Sequence, residues 1–120
     1  MKDFRELKVW EKAHHLALAI YGATATFPKR EAYGLMSQMR RCAVSIASNI
    51  AEGCGRRGDA ELARFLGIAM GSASELEYQI VLAHELKMLP ASTATELSAS
   101  VVEVKRMLAG FLQKLSAPED

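Results

Sequence analysis

The chain has 120 residues, half of them apolar and about a quarter charged, with a formal net charge of +1. That length fits one domain, and the composition is that of a water-soluble globular chain with a real core. It excludes a strongly basic nucleic-acid tail, a disordered polyelectrolyte and, lacking any apolar run of about 18 residues, a membrane-spanning helix.

The first segment, about residues 4–26, opens with Asp3 and Glu6 at the spacing of a cap and its third-position acceptor. Leu7, Trp10, Ala13, Ala17, Ile20, Tyr21 and Thr24 then recur at three and four, which predicts a helix. Phe27-Pro28 ends it, because the residue before proline avoids the α region.

A second helix is predicted over about 30–52 on the stripe Leu35, Met39, Cys42, Ile46 and Ile50. Gly53 reads as its stop, and Cys54-Gly55-Arg56-Arg57-Gly58 as a short loop. The third segment, about 59–88, takes Asp59 as its N-cap and carries Leu62, Leu66, Ala69, Met70, Ala73, Leu76, Ile80, Ala83 and Leu86. Leu89-Pro90 closes it. Thr93 with Glu96 reads as a capping box for a fourth helix over about 93–115, striped by Leu97, Val101, Val104, Leu108, Phe111, Leu112 and Leu115. The tail Ser-Ala-Pro-Glu-Asp is expected to fray. Four helices and short loops predict a single all-α domain, an antiparallel up-down-up-down bundle.

Ser45, Ser48, Asn49, Gly71, Ser72 and Ser74 stand where a helix prefers long side chains. Glycine in a helix interior costs about 1 kcal/mol against alanine, and Ser or Asn compete for backbone hydrogen bonds. Close packing, a buried polar network or a binding face would each account for them. Ala43, Ala47 and Ala51 recur four apart on the second segment, as do Ala63, Gly67 and Gly71 on the third. Such stripes let backbones approach. An antiparallel pairing centred on residues 53–58 sets Ala43 near Gly67 or Ile68, and Ala47 near Arg64 or Ala63. It also brings Arg40 and Arg41 near Met70 and Gly71, so that Glu75 is expected to pair with one of them. Gly71→Leu is then expected to overpack the helix pair and cost about 1–3 kcal/mol.

Four strings carry a family resemblance. They are Phe4-x-x-Leu7-x-x-Trp10-x-x-Ala13; Phe27-Pro28-x-x-Glu31-x-Tyr33-Gly34-Leu35-x-x-Gln38-x-Arg40-Arg41; Ser45-Ile46-x-x-Asn49-Ile50-Ala51-Glu52-Gly53; and Gly71-Ser72-x-x-Glu75-Leu76-Glu77. In this order they resemble the bacterial four-helix bundle proteins named after 23S rRNA intervening sequences. The resemblance implies a left-handed bundle assembled as a homopentamer, with a biochemical role not established for the family. The fold is also similar to the accessory variability determinant of diversity-generating retroelements, a basic pentameric barrel that binds a reverse transcriptase and nucleic acid. The near-neutral charge of this chain departs from that pattern.

The residues divide into two sets of candidates. Arg40, Arg41, Arg56, Arg57 and Arg64 are the candidate RNA contacts, because guanidinium groups bind phosphate bidentately. Ser45, Asn49, Glu52, Gly53, Gly67, Gly71, Ser72 and Glu75 are the candidate structural or interface motif. The first half of the chain carries ten Lys/Arg against six Asp/Glu and the second half five against eight, so one copy's basic half can also meet another's acidic half.

Enzyme chemistry finds little footing. Glu11-x-x-His14 matches one Glu-x-x-His of a di-iron bundle, but Val81 stands three before His84 and no second motif exists. His14 and His15 are adjacent and diverge on a helix, no Gly-rich phosphate loop follows a strand, and Cys42 and Cys54 form no C-x-x-C pair. No stacking-aromatic RNA signature is present; Trp10, Tyr21, Tyr33 and Tyr78 read as core or subunit packing. The expectation is therefore a non-enzymatic, cofactor-free, cytoplasmic scaffold that self-associates and contacts RNA or an RNA-associated protein. A ligand- or metal-binding enzymatic bundle is the alternative.

Overall fold

The computed structural model describes residues 3–117. Its helices are α1 (Lys8–Thr24), α2 (Leu35–Gly55), α3 (Asp59–Glu85) and α4 (Ala91–Ser116). Single 3₁₀ turns, Phe4–Glu6 and Lys29–Glu31, precede α1 and α2. No strand occurs among the described residues, and the four rods form a bundle measuring 53 × 21 × 20 Å. The expected fraying falls partly on residues 118–120, which lie outside the described residues.

Each pair of sequence neighbours runs antiparallel, and α4 returns beside α1. Arg40 of α2 reaches Tyr21 and Thr24 near the end of α1. Ser45 meets Ser72, while Gly53 packs on Leu62 and Phe65. Glu77 pairs with Lys105 and Lys12 with Glu103. Adjacent helices pack side by side; α1 and α3 occupy opposite corners, with no Cα atoms of the two within 8 Å, and meet only through the shared core.

The core follows the apolar periodicity. Leu16, Ile20, Met39, Ile46, Ile50, Leu66, Leu76, Ile80, Val101, Val104 and Leu108 are fully buried. Burying such a side chain stabilises by about 1.5–3 kcal/mol, so this stripe on each helix drives the assembly. Toward the end of α4, Phe111, Leu112 and Leu115 are only half-buried.

The helix ends differ from the sequence reading in instructive ways. Leu7 is extended, which separates the Phe4–Glu6 turn from α1; Asp3 accepts from the Arg5 amide and so caps that turn alone. The Glu31 carboxylate accepts from the Leu35 amide and starts α2 after Gly34 rather than at residue 30. Gly58, at φ 84°, is the N-cap of α3, and Asp59 is its first helical residue. At the far end Lys87 adopts φ 64°, with the Met88 amide donating to the Ala83 carbonyl, a Schellman closure made without glycine. α4 then begins at Ala91, behind its N-cap Pro90 and two residues before Thr93, so Thr93 is already inside the helix and the expected Thr93–Glu96 box does not form.

The largest correction concerns Gly53. It does not stop α2, which runs on to Gly55. A Cβ on Gly53 would lie 3.0 Å from both Leu62 Cδ1 and Phe65 Cβ. α2 and α3 approach closely here. The longer helix shifts the pairing, so that Ser45 faces Ser72. Ala47 and Ala51 therefore line a groove against Phe4, Trp10 and Ala17 near α1, and Ala63 one beside Ala109 and Leu112 of α4. Gly67 and Gly71 are exposed, with nothing within 4 Å of an added Cβ. The expected overpacking by Gly71→Leu within the chain is thereby overturned.

Gly53→Leu should lower stability by about 1–3 kcal/mol, because Phe65 Cβ is tied to backbone and cannot yield. Gly110→Ala, at an α4 position with open space around it, should instead gain up to about 1 kcal/mol. Urea midpoints of the two variants check both signs; an unchanged midpoint for Gly53→Leu would contradict the close approach.

Candidate interaction surface

The Ser/Asn motif builds a polar seam between α2 and α3. The Asn49 side-chain amide donates to the Ser45 carbonyl at 2.8 Å and to Ser45 Oγ at 3.0 Å. Ser45 Oγ also shares a hydrogen bond with Ser72 Oγ, 2.8 Å away, in which either hydroxyl can donate. These residues therefore do not disrupt their helices; they spend their hydrogen bonds on one another and fix the register.

Further along the seam, Gln79 Nε2 donates to Glu75 Oε2 at 3.2 Å. Gln79 is 3% exposed, and its Oε1 finds no hydrogen-bond partner among the described residues. The amide orientation has a clear cause, since the reverse would set Oε1 against the Glu75 carboxylate. Cys42 lies beside them. Burial, reinforced by the Glu75 carboxylate as hydrogen-bond acceptor and as a negative charge, pushes its thiol up to about 11.

Glu75 forms no ion pair with Arg40 or Arg41, contrary to the expectation. Arg40 turns the other way. Its Nε donates to Thr24 Oγ1 at 2.9 Å, an NH2 donates to the Tyr21 carbonyl at 3.1 Å, and the guanidinium lies 4.5 Å over the Tyr21 ring. It thus places a positive charge at the C-terminal end of α1, where the helix dipole favours it. Thr24 is completely buried and passes its hydrogen to the Ile20 carbonyl at 2.7 Å.

Arg41 neighbours Arg40 on α2, whereas Arg56, Arg57 and Arg64 sit around the α2–α3 hairpin, Arg56 being about 24 Å farther along than Arg40 by helical rise. Arg56 pairs with Glu52 at 2.9 Å. Arg64 is held bidentately by Glu61 at 2.8 and 3.2 Å, and its guanidinium holds the Glu61 carboxyl below the usual range. Both guanidinium groups lie over the Phe65 ring, at 5.1 and 4.5 Å. Arg41 and Arg57 make no side-chain hydrogen bond or ion pair among the described residues.

Sequence reasoning missed the apolar surface. Leu18, Tyr21, Val44, Ile68, Tyr78, Val81 and Leu86 are between 42% and 62% exposed, and Tyr33 is 99% exposed. Leu18 stood off the apolar stripe of its own helix, and Ile68 stood between two glycines; those were the available signals. A groove of about 270 Å³ runs between α1 and α2, with Ala17, Ala47 and Ala51 on its floor and Phe4, Trp10 and His14 beside it. The His14 ring stacks on Trp10, centroids 4.9 Å apart and nearly parallel. No group of three His, Cys, Asp or Glu residues suited to a metal ion occurs among the described residues, and no described helix is long and apolar enough to cross a membrane.

A family model described as 23S rRNA-intervening sequence protein matches residues 5–110. A solved structure from Bacteroides thetaiotaomicron, a protein with unknown function from the S23 ribosomal protein family, superposes with a TM-score of 0.81. It is 21% identical and the match covers 88% of this chain and 95% of that one, so it supports the fold. No curated protein matches the chain.

Because its folded-state value is raised, Cys42 favours the native state fully below its ordinary value of 9.0, and that contribution is lost as pH climbs through about 11. Cys42→Ala should therefore flatten the fall in stability between about pH 9 and pH 11. Native Cys42 should also alkylate at pH 8 about 100-fold more slowly than in urea, as peptide-resolved mass spectrometry would read. Equal rates would contradict the buried placement.

Proposed function

The chain belongs to the 23S rRNA-intervening sequence protein family, and we propose that it is a non-enzymatic helical scaffold whose copies assemble side by side, in a ring of five. One observation carries this reading. Leu18, Ile68, Tyr78 and Val81 stand 43–62% exposed on helix faces directed away from a core that is already complete. A side chain of this kind placed in water forgoes about 1.5–3 kcal/mol of burial, which a second copy covering it would recover. The polar seam supports the same reading, since it rigidifies the α2–α3 pair without presenting a reactive group to solvent.

RNA is not the partner we propose. Arg40, Arg56 and Arg64 are occupied within the chain, and the two remaining arginines of the set, Arg41 and Arg57, lie far apart along α2 and its loop. The enzymatic alternative has no supporting observation: the three histidines are spent on stacking, on solvent exposure or, for His84, on the Leu89 carbonyl at 3.1 Å.

Light scattering behind size exclusion should give a mass several-fold above the 13.1 kDa of one chain. A single-chain mass at high micromolar concentration would overturn the scaffold reading. Binding to a structured RNA at physiological salt should stay in the non-specific range, about 10⁻⁴–10⁻⁶ M. A sub-micromolar affinity falling steeply with salt would show that the arginines act together after all.

A further inference from the structure

A groove of about 480 Å³ runs between the start of α1 and the end of α4. Its floor is apolar: Val9 is buried, with Leu7, Met107 and Phe111 partly buried beside it. Two features keep it open. Leu7 is extended, so α1 begins only at Lys8, and Gly110 brings no side chain, with nothing within 4 Å of an added Cβ. One turn farther along α1, the Lys12–Glu103 ion pair at 3.2 Å closes the seam between the two helices.

The rim is cationic. It carries one lysine from each helix, Lys8 and Lys114, and no carboxylate lines the groove. Neither lysine forms an ion pair among the described residues, whereas Lys12 already holds Glu103. Glu6 and Glu11, the acidic residues nearest Lys8 in sequence, pair with neither lysine. Lys114 suits the C-terminal end of α4, but Lys8 is the first residue of α1, where the helix dipole disfavours a cation. The fold itself therefore gains little from Lys8. An apolar floor of this volume with a few charged groups at its edge is the usual make-up of a small-molecule cleft.

We infer that this groove binds an amphipathic anion, a free carboxylic acid with an unbranched apolar chain, its carboxylate between Lys8 and Lys114 and its chain over Leu7, Val9, Met107 and Phe111. Charge selects the anion, because a cationic amphiphile would meet two ammonium groups with no counter-charge. The floor selects the chain. No side-chain hydroxyl or amide lines the groove, so a sugar or nucleoside would lose its hydrogen bonds to water there without replacement. A membrane surface fits less well, since anionic lipid is met by clusters of about four to eight basic residues. The site goes beyond the self-associating reading and requires no second copy.

Isothermal calorimetry with decanoate is the test. The wild-type chain should bind it saturably, with a dissociation constant of about 0.1 mM. Decyltrimethylammonium, a tail of the same length with the opposite charge, should not bind. Lys8→Glu combined with Lys114→Glu should weaken decanoate at least about tenfold. Gly110→Leu, which fills the groove from an open helix position, should abolish binding. Circular dichroism establishes that each variant folds, and if one does not, the other decides. Glu119→Gln with Asp120→Asn, beyond the described residues, should bind as the wild type does. Absence of saturable binding, equal binding of the cationic amphiphile, or undiminished binding by a folded groove variant would overturn the site. Binding about tenfold tighter once Glu119 and Asp120 are neutral would overturn it too, by making those carboxylates the occupant. So would a wild type that ignores decanoate while Gly110→Leu lowers the assembly mass in light scattering, which would give the groove to a second copy.

Discussion

The contact between Gly53 of α2 and the Leu62–Phe65 turn of α3 sets the geometry of the rest of the molecule. With Cβ space of 3.0 Å on two sides, only a hydrogen fits there without displacement. The helices meet backbone to side-chain root at one end of their shared length. The Asn49–Ser45–Ser72 hydrogen bonds hold the same register farther along. A steric contact that tolerates no slip and a polar chain that loses its partners on slipping constrain the pair together.

The consequences reach the outer surface. With α2 and α3 in this register, the core stripe of α3 is satisfied by Leu66, Ala69, Ala73, Leu76 and Ile80, and the opposite stripe of Gly67, Gly71 and Tyr78 faces outward. Arg40 is directed to the end of α1, where Tyr21 and Thr24 receive it, and leaves Glu75 to Gln79 and Cys42. The arginines at the hairpin fold back on Glu52, Glu61 and the Phe65 ring. Positive charge is thus used to staple the bundle, while apolar surface is left for contact. That division is the ground on which we propose self-association rather than binding to a polyanion.

The four helices were legible because their apolar stripes repeat at helical spacing and because Phe27-Pro28 and Leu89-Pro90 interrupt them. Residues Leu35, Met39, Cys42, Ile46 and Ile50 are all buried, as their periodicity requires. The pairing of α2 with α3 was not legible, and the reason is local. A glycine near a helix end reads as a stop by its backbone freedom, but Gly53 serves by its lack of a side chain, and the helix passes through it. Three further helical residues slid the register away from the one centred on the loop. The same ambiguity misdirected Gly67 and Gly71, since a small residue gives the same sequence signal whether it meets a neighbour or open space. Arg40 was misassigned because a charge suggests a carboxylate, whereas a helix end with a buried threonine and a tyrosine ring offers it three contacts at once.

The register of α2 against α3 is the proposition on which both the outward faces and the arginine assignments depend, and it is open to direct measurement. In the double variant Ser45→Cys, Ser72→Cys, the thiols replace hydroxyls 2.8 Å apart, which suits the Cβ spacing of about 3.5–4.5 Å that a disulfide needs. Mild oxidation followed by mass spectrometry of the unreduced protein should show a bond within one chain joining these two positions. The pair Ser45→Cys, Leu66→Cys, which the loop-centred register would bring together, should remain unbridged. A bridge at residue 66 and none at residue 72 would contradict the account.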